Sequence, residues 1–305
     1  MNSSFKKTIP QELVTHVTAI CGEKGEAWFE RLPTLINTLE DRWSVKLDEP
    51  FPGIEFNFVA PAVCPDSTPV VIKIAPPYAE NEIFSEAKLL RTWAGNGAVE
   101  LLAEERELNA IMIERAVPGK SLTECFDGKE TEAVAPAIDV LRNILKPPPA
   151  DKTDVILLDD WFDGLRRYPS SAFPRTYAEK ALEIYDSLSV QSNSTFYLHG
   201  DFHPRNIVNA VRSPFLAIDP KGMVGHIGYE IAVFLNNFHW WQEGKPDVRN
   251  RLDKAVMQFS EAFDLSAAEL RQWAFAQMVL GAWWTFDEMP DIYDNEVAKA
   301  DIWDV

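Results

Sequence analysis

The stretch LHGDFHPRNIV (198–208), followed closely by FLAIDPKG (215–222), decides how this chain is interpreted. Asp201 and Asn206 lie five residues apart in the first stretch. Asp219 ends an apolar run in the second stretch, thirteen residues after Asn206. Two carboxylates and one amide at this spacing form a compact polar set, provided that the chain between them folds back on itself.

Short apolar runs flank the polar residues, and a polar segment separates the second run from the third. Runs of this length bounded by turn-forming residues predict short strands. We therefore expect a strand, a loop and then a hairpin that brings Asn206 beside Asp219. The apolar runs are residues 197–198, 207–208 and 215–218, and the predicted turn is 211–214.

The chemistry of these three side chains is that of phosphoryl transfer. A loop carboxylate such as Asp201 can orient and deprotonate an attacking hydroxyl, while Asn206 and Asp219 can ligate Mg²⁺ against nucleotide phosphates. Each residue alone is ordinary, because Asp and Asn are common in loops and often only form turns. Their joint occurrence is what favours the catalytic interpretation.

Lys73 is a charged residue inside the apolar segment TPVVIKIAPP (68–77). A buried lysine requires a partner. Phosphoryl transfer offers two partners, the nucleotide phosphates and a glutamate on a helix. Glu86 is the preferred helix partner and Glu82, one turn earlier, is the alternative. An exposed edge strand would remove the need for a partner.

These residues resemble the kinase-like phosphotransferases that include aminoglycoside phosphotransferases and choline kinases, and HGD (199–201) points to the small-molecule branch. Other segments are similar to the aminoglycoside/hydroxyurea kinase subfamily, whose best-known members phosphorylate streptomycin. The resemblance covers most of residues 40–240. Its segments are TPVVIKIAPP (68–77), EAKLLRTWAGNGAVELL (86–102), IMIERAVPGKSL (111–122) and IDPKGMVGHIGYEIAVFL (218–235).

The resemblance implies an α+β, bilobal protein-kinase-like fold. Residues 1–116 would form an N-lobe of N-terminal helices and an antiparallel sheet that binds the nucleotide. Residues 117–305 would form a larger, mainly helical C-lobe with the catalytic loop and substrate cleft. ATP and Mg²⁺ are the implied cofactors, with Asp201 as the catalytic residue and Asn206 and Asp219 as the metal ligands.

The resemblance also places an interlobe hinge at Glu114, Arg115 and Ala116, whose backbone groups would bind the purine. One departure concerns the loop that covers the phosphates: PGIEFNFVA (52–60) offers only Gly53. The residues that replace a glycine-rich loop, and the choice between ATP and GTP, stay open.

Sequence patterns predict the secondary structure around these motifs. Helices are expected within residues 10–40, at 81–93, through Trp161 and Leu165 to Tyr168, and at 177–190, 228–243, 248–263 and 266–286. Strands are expected at 43–51, 55–63, 69–75 and 108–115. From residue 118 onward the pattern is mostly helical.

The composition limits the possible partners. The net charge is −18, so nucleic-acid binding is disfavoured. The acidity favours a cationic substrate, or serves only solubility. The longest apolar run, 274–286, is too short to span a bilayer. Three widely spaced cysteines and a polar N-terminus fit a cytoplasmic protein.

The stretch 285–305 is rich in carboxylates, which could contact ammonium or guanidinium groups of a substrate. Tryptophans could add cation–π surfaces there. A solvated acidic tail and core tryptophans are the alternative. The residues concerned are Asp287, Glu288, Asp291, Asp294, Glu296, Asp301, Asp304, Trp240, Trp241, Trp283 and Trp284.

The leading hypothesis is an ATP-dependent O-phosphotransferase for a small molecule, with an aminoglycoside such as streptomycin as the acceptor. A kinase of a metabolite alcohol, such as a sugar or amino alcohol, would use the same catalytic loop. A non-catalytic nucleotide-binding protein is the third hypothesis. The oligomeric state is left open.

Overall fold

The computed structural model describes residues 9–77, 80–148, 155–167, 173–189, 195–288 and 296–305. The chain divides into two compact units, Met1–Val117 and Pro118–Val305. The assignment of residues 1–116 to nucleotide binding and of 117–305 to catalysis stays a prediction.

The first unit contains one antiparallel sheet with the strand order β1-β2-β3-β5-β4. Its helices are α1 (Gln11–Cys21), α2 (Glu23–Trp43) and α3 (Glu80–Trp93). Its strands are β1 (Lys46–Leu47), β2 (Phe58–Val63), β3 (Pro69–Ile74), β4 (Leu101–Glu105) and β5 (Ala110–Glu114).

Helices α1 and α2 cover one face of this sheet. Side chains alternate between the faces of a strand, and Val70, Ile72 and Ile74 of β3 join Leu32 and Leu39 of α2 in one buried core. Lys73 therefore points to the other face. The two N-terminal helices bury one face of the sheet and leave Lys73 on the opposite face, on the side of α3.

Two strands of this unit differ from the prediction. The strand expected at 43–51 is reduced to Lys46–Leu47, because α2 continues through Trp43. Strand β4 was not predicted, since LLAEE has neither alternation nor β-branched residues. Pairing with β5 at the edge of the sheet stabilises it.

The second unit is mainly helical and contains two small sheets, β10-β9-β6 and β7-β11-β8. Its helices are α4 (Leu122–Cys125), α5 (Val134–Ile144), α6 (Leu158–Arg167), α7 (Arg175–Ser189), α8 (Ile227–Trp241), α9 (Val248–Phe263), α10 (Ala267–Glu288) and the C-terminal 3₁₀ helix (Glu296–Trp303). Its strands are β6 (Pro118–Ser121), β7 (Ile156–Leu157), β8 (Thr195–Leu198), β9 (Ile207–Ala210), β10 (Leu216–Ala217) and β11 (Met223–His226).

Helix α8 is the centre of the second unit, and its residues from Ile227 to Asn236 are all buried. It packs against α10. The three closing helices predicted from residue 228 onward are confirmed, whereas the short strands β6, β7 and β11 were not predicted. In the ranges that the structure describes, no helix combines the length and the apolar character needed to cross a membrane.

Candidate active site

The loop between β8 and β9 presents Asp201 to solvent, with 36% of its side chain exposed. The Asn206 amide nitrogen Nδ2 donates to the Asp201 main-chain oxygen at 3.0 Å and to its Oδ2 at 3.2 Å. The carboxylate is therefore oriented by a neutral donor. Because Nδ2 is directed at Asp201, Oδ1 is the atom with which Asn206 can face a cation.

The hairpin predicted after the loop is present. Strands β9 and β10 pair antiparallel with Ala217 opposite Ile207, and Ile218 N–H donates to Asn206 O at 2.9 Å. Asp219 thus directly follows the residue that pairs with Asn206. Its φ of 62° lies in the left-handed region, which is uncommon outside glycine.

His199 ties the loop to the strand that precedes Asp219. Its Nδ1 accepts the Asp201 N–H at 3.3 Å, and its Nε2 lies 2.8 Å from Ile218 O. This pattern requires a neutral ring that carries its proton on Nε2. Complete burial lowers the pKa of His199 to about 4, which keeps the ring neutral. His199 therefore braces the loop.

Glu230 of α8 holds the same loop through hydrogen bonds to its main chain. It is fully buried, and its two carboxylate oxygens accept the N–H groups of His199 at 2.6 Å and of Gly200 at 2.9 Å. Burial raises the pKa of Glu230 to about 8, although both N–H donors act in the opposite direction. In the sequence, Glu230 is a single acid inside the apolar run GYEIAVFL (228–235), which indicates a buried charge that needs partners. Its contact with the loop was not predicted.

His203 is a second loop residue whose part was missed. Its Nδ1 accepts the N–H groups of Arg205 and Asn206 at 3.2 and 3.3 Å, so a neutral ring carries its proton on Nε2. That atom lies 3.6 Å from Asp201 Oδ1. Two further basic residues lie near this loop. The Arg205 side chain is exposed. The main-chain N–H of Lys221 donates to His199 O at 2.7 Å.

In the first unit, Lys73 Nζ lies 2.6 Å from Glu86 Oε2, and only 5% and 4% of the two side chains are exposed. Strand β3 pairs with β2 on one side and β5 on the other. The alternative of an exposed edge strand is therefore wrong. The structure pairs Lys73 with Glu86, the partner preferred from the sequence, and the nucleotide role of this pair stays a prediction.

The predicted hinge begins with the last residue of strand β5, Glu114, and continues into the residues that follow the strand. The Glu114 N–H donates to Glu100 O at 2.8 Å, so that group is engaged within the unit. The Arg115 guanidinium lies 5.8 Å from the centre of the Phe51 ring. The purine-binding roles of Glu114, Arg115 and Ala116 stay predictions.

The acidic and tryptophan residues of the C-terminal region differ in their contacts and exposure. Asp301 accepts from the Tyr177 hydroxyl at 2.9 Å, and Asp304 pairs with Arg249, so both side chains have partners within the second unit. Trp283 is buried, whereas Trp240 is 43% exposed. Residues 289–295, including Asp291 and Asp294, lie outside the described residues.

A cavity of about 300 Å³ lies between α8, α10 and the C-terminal 3₁₀ helix. Its wall combines an exposed indole, two carboxylates, one lysine and one primary amide. This size and mixture of groups suits a small polar ligand. The lining residues are Trp240, Glu243, Gln277, Met278, Gly281, Ala282, Thr285, Glu296 and Lys299.

Comparison with known proteins identifies the family and the fold. The family model for aminoglycoside/hydroxyurea antibiotic resistance kinases matches residues 42–288. Streptomycin 6-kinase of Streptomyces griseus is 26% identical, covering 99% of this chain and 98% of its own. Hydroxyurea phosphotransferase of Kitasatospora aureofaciens is 25% identical, covering 95% and 82%.

Among solved structures, the amicoumacin kinase in complex with AMP-PNP and Ca²⁺ superposes with a TM-score of 0.62 at 12% identity, covering 93% of this chain and 96% of its own. At 12% identity the match is evidence for the fold alone. It confirms the predicted α+β, protein-kinase-like fold class. The chain belongs to the aminoglycoside/hydroxyurea antibiotic resistance kinase family.

Proposed function

We propose that this protein transfers the γ-phosphoryl group of ATP to a hydroxyl of a small cationic antibiotic such as streptomycin. The observation that carries the proposal is the exposed Asp201 carboxylate, oriented by Asn206 and held on a loop that Glu230 anchors. The names of the related kinases support the choice of acceptor.

Asp201 would act as the base. Its Oδ2 accepts from Asn206, whereas Oδ1 lies 3.6 Å from His203 Nε2, beyond hydrogen-bond distance, and makes no hydrogen bond within the described residues. Oδ1 would take the proton of the acceptor hydroxyl while the hydroxyl oxygen bonds to the γ-phosphorus and ADP leaves. Lys73 would bind the α- and β-phosphates, with Glu86 fixing its position.

Asn206 and Asp219 would hold Mg²⁺, which supplies charge neutralisation at the transferring phosphoryl group. One carboxylate and one amide oxygen suit an ion that arrives with nucleotide phosphates, because Mg²⁺ keeps few protein ligands. In the part of the chain that the structure describes, no group of three or more His, Cys, Asp or Glu side chains could hold a metal ion. The donor set fits metal bound as Mg-ATP.

The cavity in the second unit supports a cationic acceptor. Glu243 and Glu296 line it together with one lysine, and the exposed indole of Trp240 offers a face to an ammonium or guanidinium group. The overall charge of −18 would also raise the local concentration of a cation.

The test incubates purified protein with Mg-ATP and, separately, streptomycin, hydroxyurea and a panel of sugars and amino alcohols, and detects phosphate adducts by mass spectrometry. A streptomycin adduct that disappears in Asp201→Asn is expected. An adduct only on another panel member would keep the catalytic assignment and replace the acceptor. Absence of every adduct despite Mg-ATP binding would favour a non-catalytic nucleotide-binding protein.

A further inference from the structure

Gln277 is the primary amide in the wall of the cavity described above. It lies on α10 and is 8% exposed. An amide can present either its oxygen or its nitrogen to a ligand, and these two choices select different partners. The hydrogen bonds behind Gln277 determine which one faces the cavity.

Those hydrogen bonds begin at Trp303 in the C-terminal 3₁₀ helix. Its indole Nε1, which can only donate, donates to Asn236 Oδ1 at 2.8 Å. Asn236 Nδ2 then donates to the carbonyl oxygen of Ala274 at 2.9 Å and to Gln277 Oε1. Trp303 and Asn236 are both fully buried, so water cannot substitute for these partners.

Each step of this network fixes the orientation of the next. Because the indole donates, Asn236 must turn its oxygen toward Trp303. Its nitrogen must then face Ala274 O, an acceptor only, and Gln277. Gln277 consequently turns Oε1 toward Asn236, and its Nε2 is the end left for the cavity side.

A neighbouring phenol agrees with this orientation. The Tyr229 hydroxyl is fully buried, and within the described residues it has no partner at normal hydrogen-bond distance. Burial raises the pKa of Tyr229, whereas the Gln277 amide lowers it. An amide that favours the phenolate presents N–H to it, which agrees with Gln277 turning Oε1 toward Asn236.

We propose that Gln277 is a specificity residue that donates an N–H hydrogen bond to an oxygen atom of the acceptor molecule, with Trp303 and Asn236 as positioning residues that hold its amide in this orientation. The proposal rests on the proposed function and deepens it. The acceptor must present a hydroxyl, ether or carbonyl oxygen beside its cationic groups. A cation without such an oxygen would bind less tightly.

The test measures KM for streptomycin and for ATP in full-length variants. Gln277→Met keeps the volume and removes the donor, so KM for streptomycin should rise about tenfold, the worth of one hydrogen bond near a charged ligand. Its kcat should fall less than threefold. Trp303→Phe removes the indole N–H together with part of the ring volume, so it should raise the same KM about three- to tenfold by releasing the amides. KM for ATP should stay constant in both.

Trp273→Phe is the matched control. Trp273 is also fully buried, and its Nε1 has no hydrogen-bond partner in the described part of the chain. It should leave KM for streptomycin within twofold of wild type. The double variant Gln277→Met/Trp303→Phe should have the KM of Gln277→Met alone, because Trp303 acts through Gln277.

Three results would overturn the inference: an unchanged KM in Gln277→Met, an unchanged KM in Trp303→Phe, or effects that multiply in the double variant. Calorimetric titration of streptomycin into Asp201→Asn protein separates this inference from the proposed function. Tight binding that weakens about tenfold on adding Gln277→Met supports the inference even without turnover. Streptomycin that binds the wild-type protein but is never phosphorylated refutes only the proposed function, whereas streptomycin that does not bind overturns the inference.

Discussion

Asn206 orients Asp201: its Nδ2 lies 3.2 Å from Asp201 Oδ2 and 3.0 Å from the Asp201 main-chain oxygen. One amide thereby fixes both the carboxylate and the loop that carries it. The same geometry directs Asn206 Oδ1 away from Asp201, so the residue can serve a base with one end and a cation with the other. A spacing of five residues lets Asn206 Nδ2 reach both the main chain and the carboxylate of Asp201.

The first prediction concerns Asp201, the proposed proton acceptor. Asp201→Asn keeps the shape of the side chain but cannot accept a proton. We expect kcat to fall roughly 10²- to 10⁴-fold, while KM for ATP changes little. Initial rates with Mg-ATP and streptomycin measure both quantities. Asp139→Asn, at a side chain that is 75% exposed, is the matched control and should be neutral. Near wild-type turnover in Asp201→Asn would refute the assignment.

The anchor beneath the loop gives a second prediction. Glu230→Gln replaces one accepting oxygen with an NH₂ group that opposes a backbone N–H of His199 or Gly200. The loop should lose one buried hydrogen bond, at a cost of roughly 1–3 kcal/mol in the free energy of unfolding. We expect kcat to fall at least tenfold with a smaller change in KM for ATP, because only the orientation of Asp201 suffers.

Urea denaturation and initial rates measure the two effects of Glu230→Gln. Glu261→Gln, at an exposed position of α9, repeats the chemical change without a loop contact and should leave both quantities unchanged. A Glu230→Gln protein with wild-type kcat would show that the catalytic loop keeps its geometry without the second acceptor.

The sequence was sufficient where the relevant residues are close along the chain or belong to one strong pattern. Asp201, Asn206 and Asp219 lie within one strand–loop–hairpin, and the apolar, β-forming run around Lys73 predicted a strand that the structure shows paired on both sides. The pairing with Glu86 followed from the phosphoryl-transfer template, which supplies a helix glutamate as the partner of the strand lysine.

Contacts between distant elements could not be predicted in the same way. Glu230 meets the catalytic loop 30 residues upstream, and Trp303 meets Asn236 across 67 residues. Both depend on how α8 packs in the second unit, which no local pattern encodes. The short strands β6, β7 and β11 were missed for a related reason, since pairing rather than composition stabilises them.

The buried pair in the first unit gives a third prediction, in which stability and binding separate. Lys73→Met leaves the Glu86 carboxylate buried without its cation, which should cost roughly 3–5 kcal/mol. Lys73→Met/Glu86→Met removes both charges and should recover most of that loss. Neither variant can bind phosphates at this position, so both should show a KM for ATP raised at least tenfold.

Chemical denaturation and ATP titration distinguish the two effects of these substitutions. Lys46→Met serves as a control, because the Lys46 side chain is 77% exposed, and it should change neither quantity. If the double variant regained ATP affinity together with stability, the role of Lys73 would be structural only, and the nucleotide assignment would be wrong.

His226 provides a test by pH. Its Nδ1 accepts the Gly228 N–H at 3.0 Å at the start of α8, and its ring stacks on Trp273. Burial lowers the pKa of His226 from 6.5 to about 4. Between these pH values the unfolded chain holds a proton that the folded chain does not. The free energy of unfolding therefore falls as the pH drops through this window, and the full contribution is present above pH 6.5.

Other groups act in the same pH range. Glu230, whose pKa burial raises to about 8, takes up its proton first in the folded state and opposes the acid loss. His199, with a pKa of about 4, adds to the acid loss. Glu269, with its Oε1 3.8 Å from His226 Nε2, opposes it, because burial raises the pKa of Glu269 and the folded state then takes up its proton first. The wild-type pH profile is a sum of these effects, so the contribution of His226 must come from a variant.

His226→Asn isolates that contribution, since asparagine can still accept the Gly228 N–H as an N-cap but does not titrate. At pH 7.5 the variant should be slightly less stable than the wild type, because the stacking on Trp273 is lost. Between pH 7.5 and pH 5 the wild type should lose about 2 kcal/mol more than the variant, the linkage value for this pKa shift. Urea unfolding at both pH values measures the difference. Equal losses in the two proteins would mean that His226 is already protonated in the folded state at pH 5, which requires a proton acceptor for Nε2, and Glu269 would be that acceptor.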